Sequence, residues 1–397
     1  MTDSKVAIIR CPDYDPVRVR EAVAQTIELL GGTEHFAKPG ETVLVKPNLL
    51  SARPPEAAVT THPTVVRAVV ELWAQAGARV MVGDSPPLAG EKEASYRRLL
   101  KITGLSGVIE QTSAQLIRFE EAVIEVEQPR GRYYKRFEIA RAVADADALI
   151  SLPKLKTHGL TYLTGAIKNI FGCIPGKRKA LFHAQAGEDR ETFAQMLVDL
   201  LSAVRPKLSI IDAITAMDGD GPVDGRIRNV GLILAGTDPV ALDAVACAVL
   251  GVDPLIVDTT RLASEQGFGT ADLSKIEIVG ERIEDAACGG FLEPRSKSLW
   301  TQIPRPIRRV LKNQLIPFPN ITAACKNCGA CVQACPVNTI SSGQKRPSID
   351  LGKCIRCYCC REVCEHKAIE LRLGRLSAGI KLVRSARRTI LQRRRKW

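Results

Sequence analysis

The chain has 397 residues, 45% of them hydrophobic, and a formal net charge of +13. That length allows at least one full core and two or three units, and it excludes a small disulfide-stapled scaffold. No apolar run approaches the roughly 18 residues of a membrane-spanning helix; candidates such as Val230 to Ala235 are strand-sized, and the opening MTDSKVAIIR is too charged for a secretory signal. Thirteen cysteines in such a chain read as metal ligands rather than disulfides, because the cytosol keeps thiols reduced, and the expected compartment is the cytoplasm. The basicity is confined: residues 1–293 hold 33 Lys and Arg against 39 Asp and Glu, whereas residues 294–397 hold 23 against 4.

In chain order, Lys5 to Ile9 reads as the first strand, and Pro16 opens a helix that Gly31-Gly32 closes. Strand Thr42 to Val45 follows, then a helix from Pro63 to Gly77, and strands Arg79 to Val82, Ala148 to Leu152, Leu208 to Ile211 and Val230 to Ala235. Pro239 opens a third helix, which ends at Gly251 before strand Ile276 to Val279. Short β-branched runs alternating with helical patterns predict an α/β domain over residues 1–290, a largely parallel sheet with flanking helices. Residues 291–320, broken by Pro294, Pro304, Pro306, Pro317 and Pro319, read as a basic linker with room for one short helix around Ile307 to Leu315. A cysteine-rich segment fills residues 321–373, and a basic tail fills 374–397.

One spacing occurs twice in the cysteine-rich segment. Cys325, Cys328, Cys331 and Cys335, followed by Pro336, are repeated 29 residues later as Cys354, Cys357, Cys360 and Cys364, and Ile340 and Ile369 recur in register. Three cysteines at two-residue intervals let one tight loop present three thiolates to a cubane, while the fourth, on the turn behind, points away from its own loop. Zinc ribbons need two thiols per knuckle and have no use for the others. Residues 323–371 resemble bacterial two-cluster ferredoxins, small α+β domains in which the fourth cysteine ligates the other cluster. That resemblance implies two 4Fe-4S clusters, one on Cys325, Cys328, Cys331 and Cys364, the other on Cys354, Cys357, Cys360 and Cys335. Glu365 stands where the motif has proline. Cys359 is surplus, and Cys11, Cys173, Cys247 and Cys288 read as ordinary packed thiols.

Between Ala148 and Gly187 there is no carboxylate, yet the window holds Lys154, Lys156, Lys168, Lys177, Arg178, Lys179, His158 and His183. A strand period of two puts Lys154, Lys156 and His158 on one face, and Gly165 and Gly172 permit close backbone approach beside Lys168. Lys46 and Asn48, Asp84 and Ser85, and Asp212 follow other predicted strands, with Asp218 and Asp220 just beyond. Sites in parallel α/β sheets form at such strand ends. The expected site therefore binds an anionic small molecule through Lys46, Asn48, Asp84, Lys154, Lys156 and His183. Neither a G-x-G-x-x-G fingerprint after the first strand nor a Walker A sequence is present.

The segments KPN at Lys46 to Asn48, TTHP at Thr60 to Pro63, GDSP at Gly83 to Pro86 and KLKTHGLTYLTGAIKNIFG at Lys154 to Gly172 resemble the domain-of-unknown-function 362 family. Members often carry a C-terminal ferredoxin module, and the family name assigns no activity. The spacing of His158, Lys168 and His183 is also similar to one segment of nickel-dependent lactate racemases. That likeness implies a proton-transfer role for His158, a cofactor anchor at Lys168 and a nickel ligand at His183. The racemases lack a ferredoxin, and Asn169 and Ile170 depart from their pattern.

From Arg372 onward there are ten Lys and Arg and no acid, interleaved with Leu376, Ile380, Leu382, Val383, Ile390 and Leu391. This tail reads as a contact for an anionic membrane surface or an acidic partner, or as a solvated terminus. No aromatic RNA motif or zinc finger points to nucleic acid. The leading expectation is an iron-sulfur redox protein with a redox partner protein, its clusters serving a reaction in the α/β domain. The rivals are a binding or maturation protein with structural or sensory clusters, and a racemase-like isomerase.

Overall fold

The computed structural model describes residues 4–87, 92–176, 178–186, 189–294 and 317–372. The predicted helix at Ile307 to Leu315, the tail and Lys177 lie outside them. The chain divides after Pro294 into two compact units. No helix among the described residues is long and apolar enough to cross a membrane.

The first unit opens with β1 (Ser4–Arg10), α1 (Pro16–Leu29), α2 (Thr33–Phe36), β2 (Thr42–Pro47), α3 (Pro63–Gln75) and β3 (Arg79–Asp84). Then come α4 (Glu93–Ile102), α5 (Leu105–Gln111), β4 (Gln115–Arg118), the β5 (Val123–Glu127) and β6 (Arg136–Ala140) hairpin, α6 (Arg141–Asp145) and β7 (Ala148–Leu152). The basic window supplies β8 (Lys154–His158), β9 (Tyr162–Thr164), α7 (Ala166–Asn169) and α8 (Arg178–Ala186). Finally α9 (Arg190–Ala203), β10 (Leu208–Asp218), β11 (Arg226–Gly236), α10 (Pro239–Val249), α11 (Asp258–Glu265), β12 (Ile276–Gly280) and α12 (Ile283–Ala286) complete it.

Proline opens α1, α3 and α10, where a missing N–H costs nothing, and Asp15, His62 and Asp238 accept the next backbone donors. The sheet runs β12-β1-β11-β10-β7-β2-β3-β4, with β8 beside β10 and β9 beside β8. Within it β11 and β9 run against their neighbours and the other pairings are parallel. Alternate residues feed two cores. Val6, Ile8 and Leu44 face a layer of α7, α9, α10 and α11, while Ala7, Ile9, Val43 and Val45 face α1, α3, α4 and α5.

β7 is buried throughout, and the strands that follow β2 build outward through β3 and β4, whereas those that follow β7 build the other way through β10. The crevice at the carboxyl ends of β2 and β7 is thus a topological switch point, the place where parallel sheets open a cleft. Pro153 ends β7, and β8 continues alongside β10, with Lys154 opposite Asp212 and Lys156 opposite Met217 across an irregular register.

In the second unit, β13 (Phe318–Ile321), which begins inside the stretch read as linker, pairs with β16 (Ile369–Arg372), and β14 (Ile340–Ser341) pairs with β15 (Ser348–Ile349). The duplication is visible in the backbone. One-turn helices at Ala330–Gln333 and Cys359–Glu362 occupy equivalent places. Left-handed φ recurs at Asn327 and Arg356 (52° and 58°), Gly329 and Tyr358 (76° and 62°), and Asn338 and Lys367 (51° and 50°).

Candidate functional site

The carboxyl ends of the parallel strands are built around buried charge. Lys46, at the end of β2, pairs with Asp84 at the end of β3 at 2.9 Å, and both side chains are almost wholly buried. The Lys46 ammonium also donates to the Pro47 carbonyl at 3.1 Å. Asn169 on α7 clamps the same corner, donating to Ser151 Oγ at 2.9 Å. The chain can approach this closely because residue 172 is glycine: a Cβ there would stand 2.1 Å from Asp84 Oδ1 and 2.6 Å from Lys46 Nζ.

Lys154 makes a second buried pair, with Asp212 of β10 at 2.9 Å. Tyr14 completes it: the phenol donates to Asp212 Oδ1 at 2.8 Å and accepts from Lys154 Nζ at 2.6 Å and from the Thr215 N–H at 3.2 Å. The His62 ring stacks on Tyr14 at 3.6 Å, and its backbone N–H donates to Asp212 Oδ2. Burial pushes His62 down to about 4, reinforced by Lys154 and opposed by Asp212. It also raises Tyr14, with Asp212 adding to the effect, and lowers Lys154 against the pull of Asp212. His62 is thus neutral at physiological pH, and its Nδ1 accepts the Thr64 N–H, which places the proton on Nε2.

Lys156, two residues after Lys154 on β8, is buried, and its ammonium donates to the Val59 carbonyl. Cross-strand from it is Thr164. Two buried hydroxyls beside this contact have no hydrogen-bond partner among the described residues, Thr164 Oγ1 and Thr60 Oγ1, the latter next to Val59; Asn48 Oδ1 and Ser51 Oγ, after β2, are likewise without one. His158, two residues along β8, has Nδ1 fixed as acceptor for the Leu160 and Thr161 N–H groups at 3.0 and 3.2 Å, so Nε2 is its working nitrogen. Tyr162, which faces it across the hairpin, is held at φ 67°.

Lys168 and His183 form a separate group. Lys168 Nζ lies 4.9 Å from the centre of the Phe171 ring, and His183 stacks on Phe193 at 4.5 Å with Phe171 edge-on. Lys179 reaches the other flank, donating to Ser85 Oγ at 2.6 Å, and burial lowers it to about 8. Ser85 Oγ in turn donates to Glu120 at 2.5 Å. Tyr14, His62, Thr60, Thr164 and Lys179 were not singled out as site residues from sequence. Thr60 and His62 lie in the TTHP segment, Thr164 in the segment Lys154 to Gly172 and Lys179 in the acid-free window, whereas nothing local distinguishes Tyr14.

In the second unit, Cys325, Cys328 and Cys331 line one pocket together with Cys364 from the other motif. Burial first, then Cys325, Cys364 and Cys328, push the Cys331 thiol up to about 11. Cys360 is pushed up by burial and then by Cys357, Cys354, Cys331 and Cys335. The fourth cysteine of each motif therefore stands with the other motif's thiols. Backbone N–H groups already point at the sulfurs: Thr339 to Cys335 at 3.3 Å, Ala368 to Cys364 at 3.2 Å, and Asn327 to Cys325 at 3.4 Å. This donor set fits a cubane cluster, whose charge such N–H groups stabilise.

A 4Fe-4S dicluster domain model matches residues 320–365. A thylakoid-associated protein of Synechocystis sp. is 36% identical over 270 residues, covering 66% of this chain and 79% of that protein. Among solved structures, the lactate racemase apoprotein of Thermoanaerobacterium thermosaccharolyticum has TM-score 0.38 and 13% identity over 59% of this chain and 54% of that one. A Thermotoga maritima protein has TM-score 0.36 and 13% identity over 65% of this chain and 60% of its own. This chain thus spans less than two thirds of either solved chain, and likenesses this weak carry no argument about activity. With the family model for domain of unknown function 362 matching residues 43–248, more than half its length, the chain belongs to the DUF362 family.

Proposed function

We propose that this is an iron-sulfur redox protein holding two 4Fe-4S clusters, with electrons passing to or from an anionic ligand in the strand-end cleft of the α/β unit. Bound clusters supply one-electron chemistry. The rest falls to the chain's own residues. Supporting the ligand site is one observation above the others: two buried hydroxyls lie without partners among the described residues beside the Lys156 contact, that of Thr164 opposite Lys156 across the strand pair and that of Thr60 next to Val59, whose carbonyl Lys156 meets. Orphaned buried polar atoms are costly, and a carboxylate or phosphate accepting from those hydroxyls and from Lys156 relieves that cost. The Lys46–Asp84 and Lys154–Asp212 pairs are already neutralised, so their role is to hold the walls rather than to bind charge. His158, two residues beyond Lys156 on β8 with its proton on Nε2, and the Tyr14–Asp212–Lys154 unit, whose lysine lies two residues before it, are groups that can hold or give a proton.

A contact with an acidic redox partner or an anionic membrane surface through residues 374–397 belongs to the same reading, with the protein in the cytoplasm. The membrane arm is favoured by the name of the Synechocystis relative, which is thylakoid-associated. The decisive experiment combines composition and binding on anaerobically purified holoprotein. Both four-cysteine sets filled means about eight iron and eight acid-labile sulfide per chain. Inorganic phosphate and a series of small carboxylates should raise the melting temperature, and Lys156→Met should weaken the best of them about tenfold to hundredfold at unchanged iron content, the value of one charge-assisted contact. Zinc in place of iron removes the redox reading; equal affinity in Lys156→Met removes the site.

A further inference from the structure

The two cysteine loops share one backbone and differ in what surrounds it. In the first loop Cys328, Lys326 and Asn327 are exposed, and the Asn327 amide turns away to the Gly343 carbonyl at 3.0 Å. In the second, Cys354, Cys357 and Cys360 are buried, and the residue equivalent to Asn327 is Arg356, only 3% exposed. Arg356 donates to the Leu351 carbonyl at 3.3 Å and lies over the Phe318 ring at 5.9 Å. Arg361, next to Cys360, is 7% exposed. One loop thus carries buried guanidinium groups within two residues of three thiolates, and the other carries a solvated lysine.

Arginine keeps its charge at any accessible pH, and a buried charge is screened far less than one in water. A nearby cation favours the more negative state of its neighbour. Burial of the thiolates alone acts the other way, since a low dielectric disfavours added negative charge. The guanidinium groups share the thiolates' dry environment, so their attraction is strengthened by the same burial, whereas Lys326 is weakened by solvent. We propose that Arg356, seconded by Arg361, sets the reduction potential of the cluster on Cys354, Cys357, Cys360 and Cys335 above that of the cluster on Cys325, Cys328, Cys331 and Cys364. This rests on the two-cluster reading above. An electron delivered by a one-electron carrier at the exposed first loop then passes downhill to the buried second, the first centre being reoxidised as the second is reduced, with no bond or proton exchanged.

The test is a mediated dithionite titration of the holoprotein followed by electron paramagnetic resonance, after iron analysis. The parent should show about eight iron and two resolved one-electron steps. Arg356→Asn, which installs the first loop's residue, should lower the upper step and leave the lower one, and Arg356→Lys should retain it. Arg361→Gln should also lower the upper step, which keeps the test decisive if Arg356→Asn fails to fill its cluster. One unresolved step at full iron overturns the proposal, as does an upper step that stays in place in the filled variants. About four iron in the parent instead overturns the two-cluster reading, and this inference with it.

Discussion

Asp243 on α10 shows how one buried carboxylate can hold an element of the cleft. It accepts from the Ala166 and Ile167 N–H groups at 2.6 and 3.1 Å and so caps α7, and Gly165 leaves it room, since a Cβ there would stand 2.1 Å from Asp243 Oδ1. Burial pushes its carboxyl up to about 7, more than the two backbone donors pull it down. A folded-state value above the unfolded one means the native protein holds a proton that the unfolded chain has released. The associated stability is complete below about 4 and is lost as pH rises through about 7. His62 slopes the opposite way, losing stability as pH falls below the ordinary histidine range, so the parent curve mixes the two. Asp243→Asn keeps an acceptor and removes the titration. The parent-minus-variant difference in denaturation midpoint should fall between about pH 5 and 7, and a flat difference contradicts the assignment. At this scale Lys154 and Lys156 were legible in sequence, because no acid interrupts residues 148–187. Their partners were not: Asp212 lies 58 residues from Lys154 and Tyr14 lies 140 away, so only the fold brings them together.

Elements that begin with proline and end with glycine were readable because both signals are local: α1, α3 and α10 start where Pro16, Pro63 and Pro239 stand. β8 and β9 were harder. The period of two at Lys154, Lys156 and His158 hinted at β8 only as a continuation of β7, whereas Pro153 separates the two by one residue and β8 pairs with β10 and β9. β4 and the β5–β6 hairpin are partly exposed and lack a sustained apolar run. The turn after α7 rests instead on steric fit, which glycine content hints at but cannot locate. Gly172→Ala forces a methyl group into the Lys46–Asp84 pair and should cost about 1–3 kcal/mol, as overpacking does. Gly107→Ala is the contrast, since α5 leaves its Cβ position open, with Gln111 Nε2 no nearer than 4.0 Å. That change should stabilise by about 0.4–1 kcal/mol by restricting the unfolded chain. Chemical denaturation of the two variants decides the matter; similar effects in both would show that the close approach at Gly172 is not a constraint.

Over the whole molecule, charge and chemistry divide along the chain. Residues 1–293 are slightly acidic and hold Lys46 and Lys154 in buried pairs, while residues 294–397 carry 23 basic side chains against 4 acidic ones. Two oxidised clusters, each about two negative charges with their thiolates, would offset only part of that excess. The remainder is concentrated beyond the cysteine motifs, where Arg375 to Trp397 hold nine Lys and Arg and no acid. Each basic residue near an anionic surface contributes about 1 kcal/mol, and that attraction decays within a Debye length of about 8 Å at physiological salt. Deleting residues 375–397 should therefore leave iron content intact, since no cluster cysteine lies there, and should weaken cosedimentation with phosphatidylserine vesicles. The loss should be largest at low ionic strength and should vanish as salt suppresses binding of the parent. Neutral vesicles should retain neither protein. Equal retention of parent and truncated chain on anionic vesicles at low salt would show that the tail is only solvated charge, and would move the search for a redox partner to the exposed first cysteine loop.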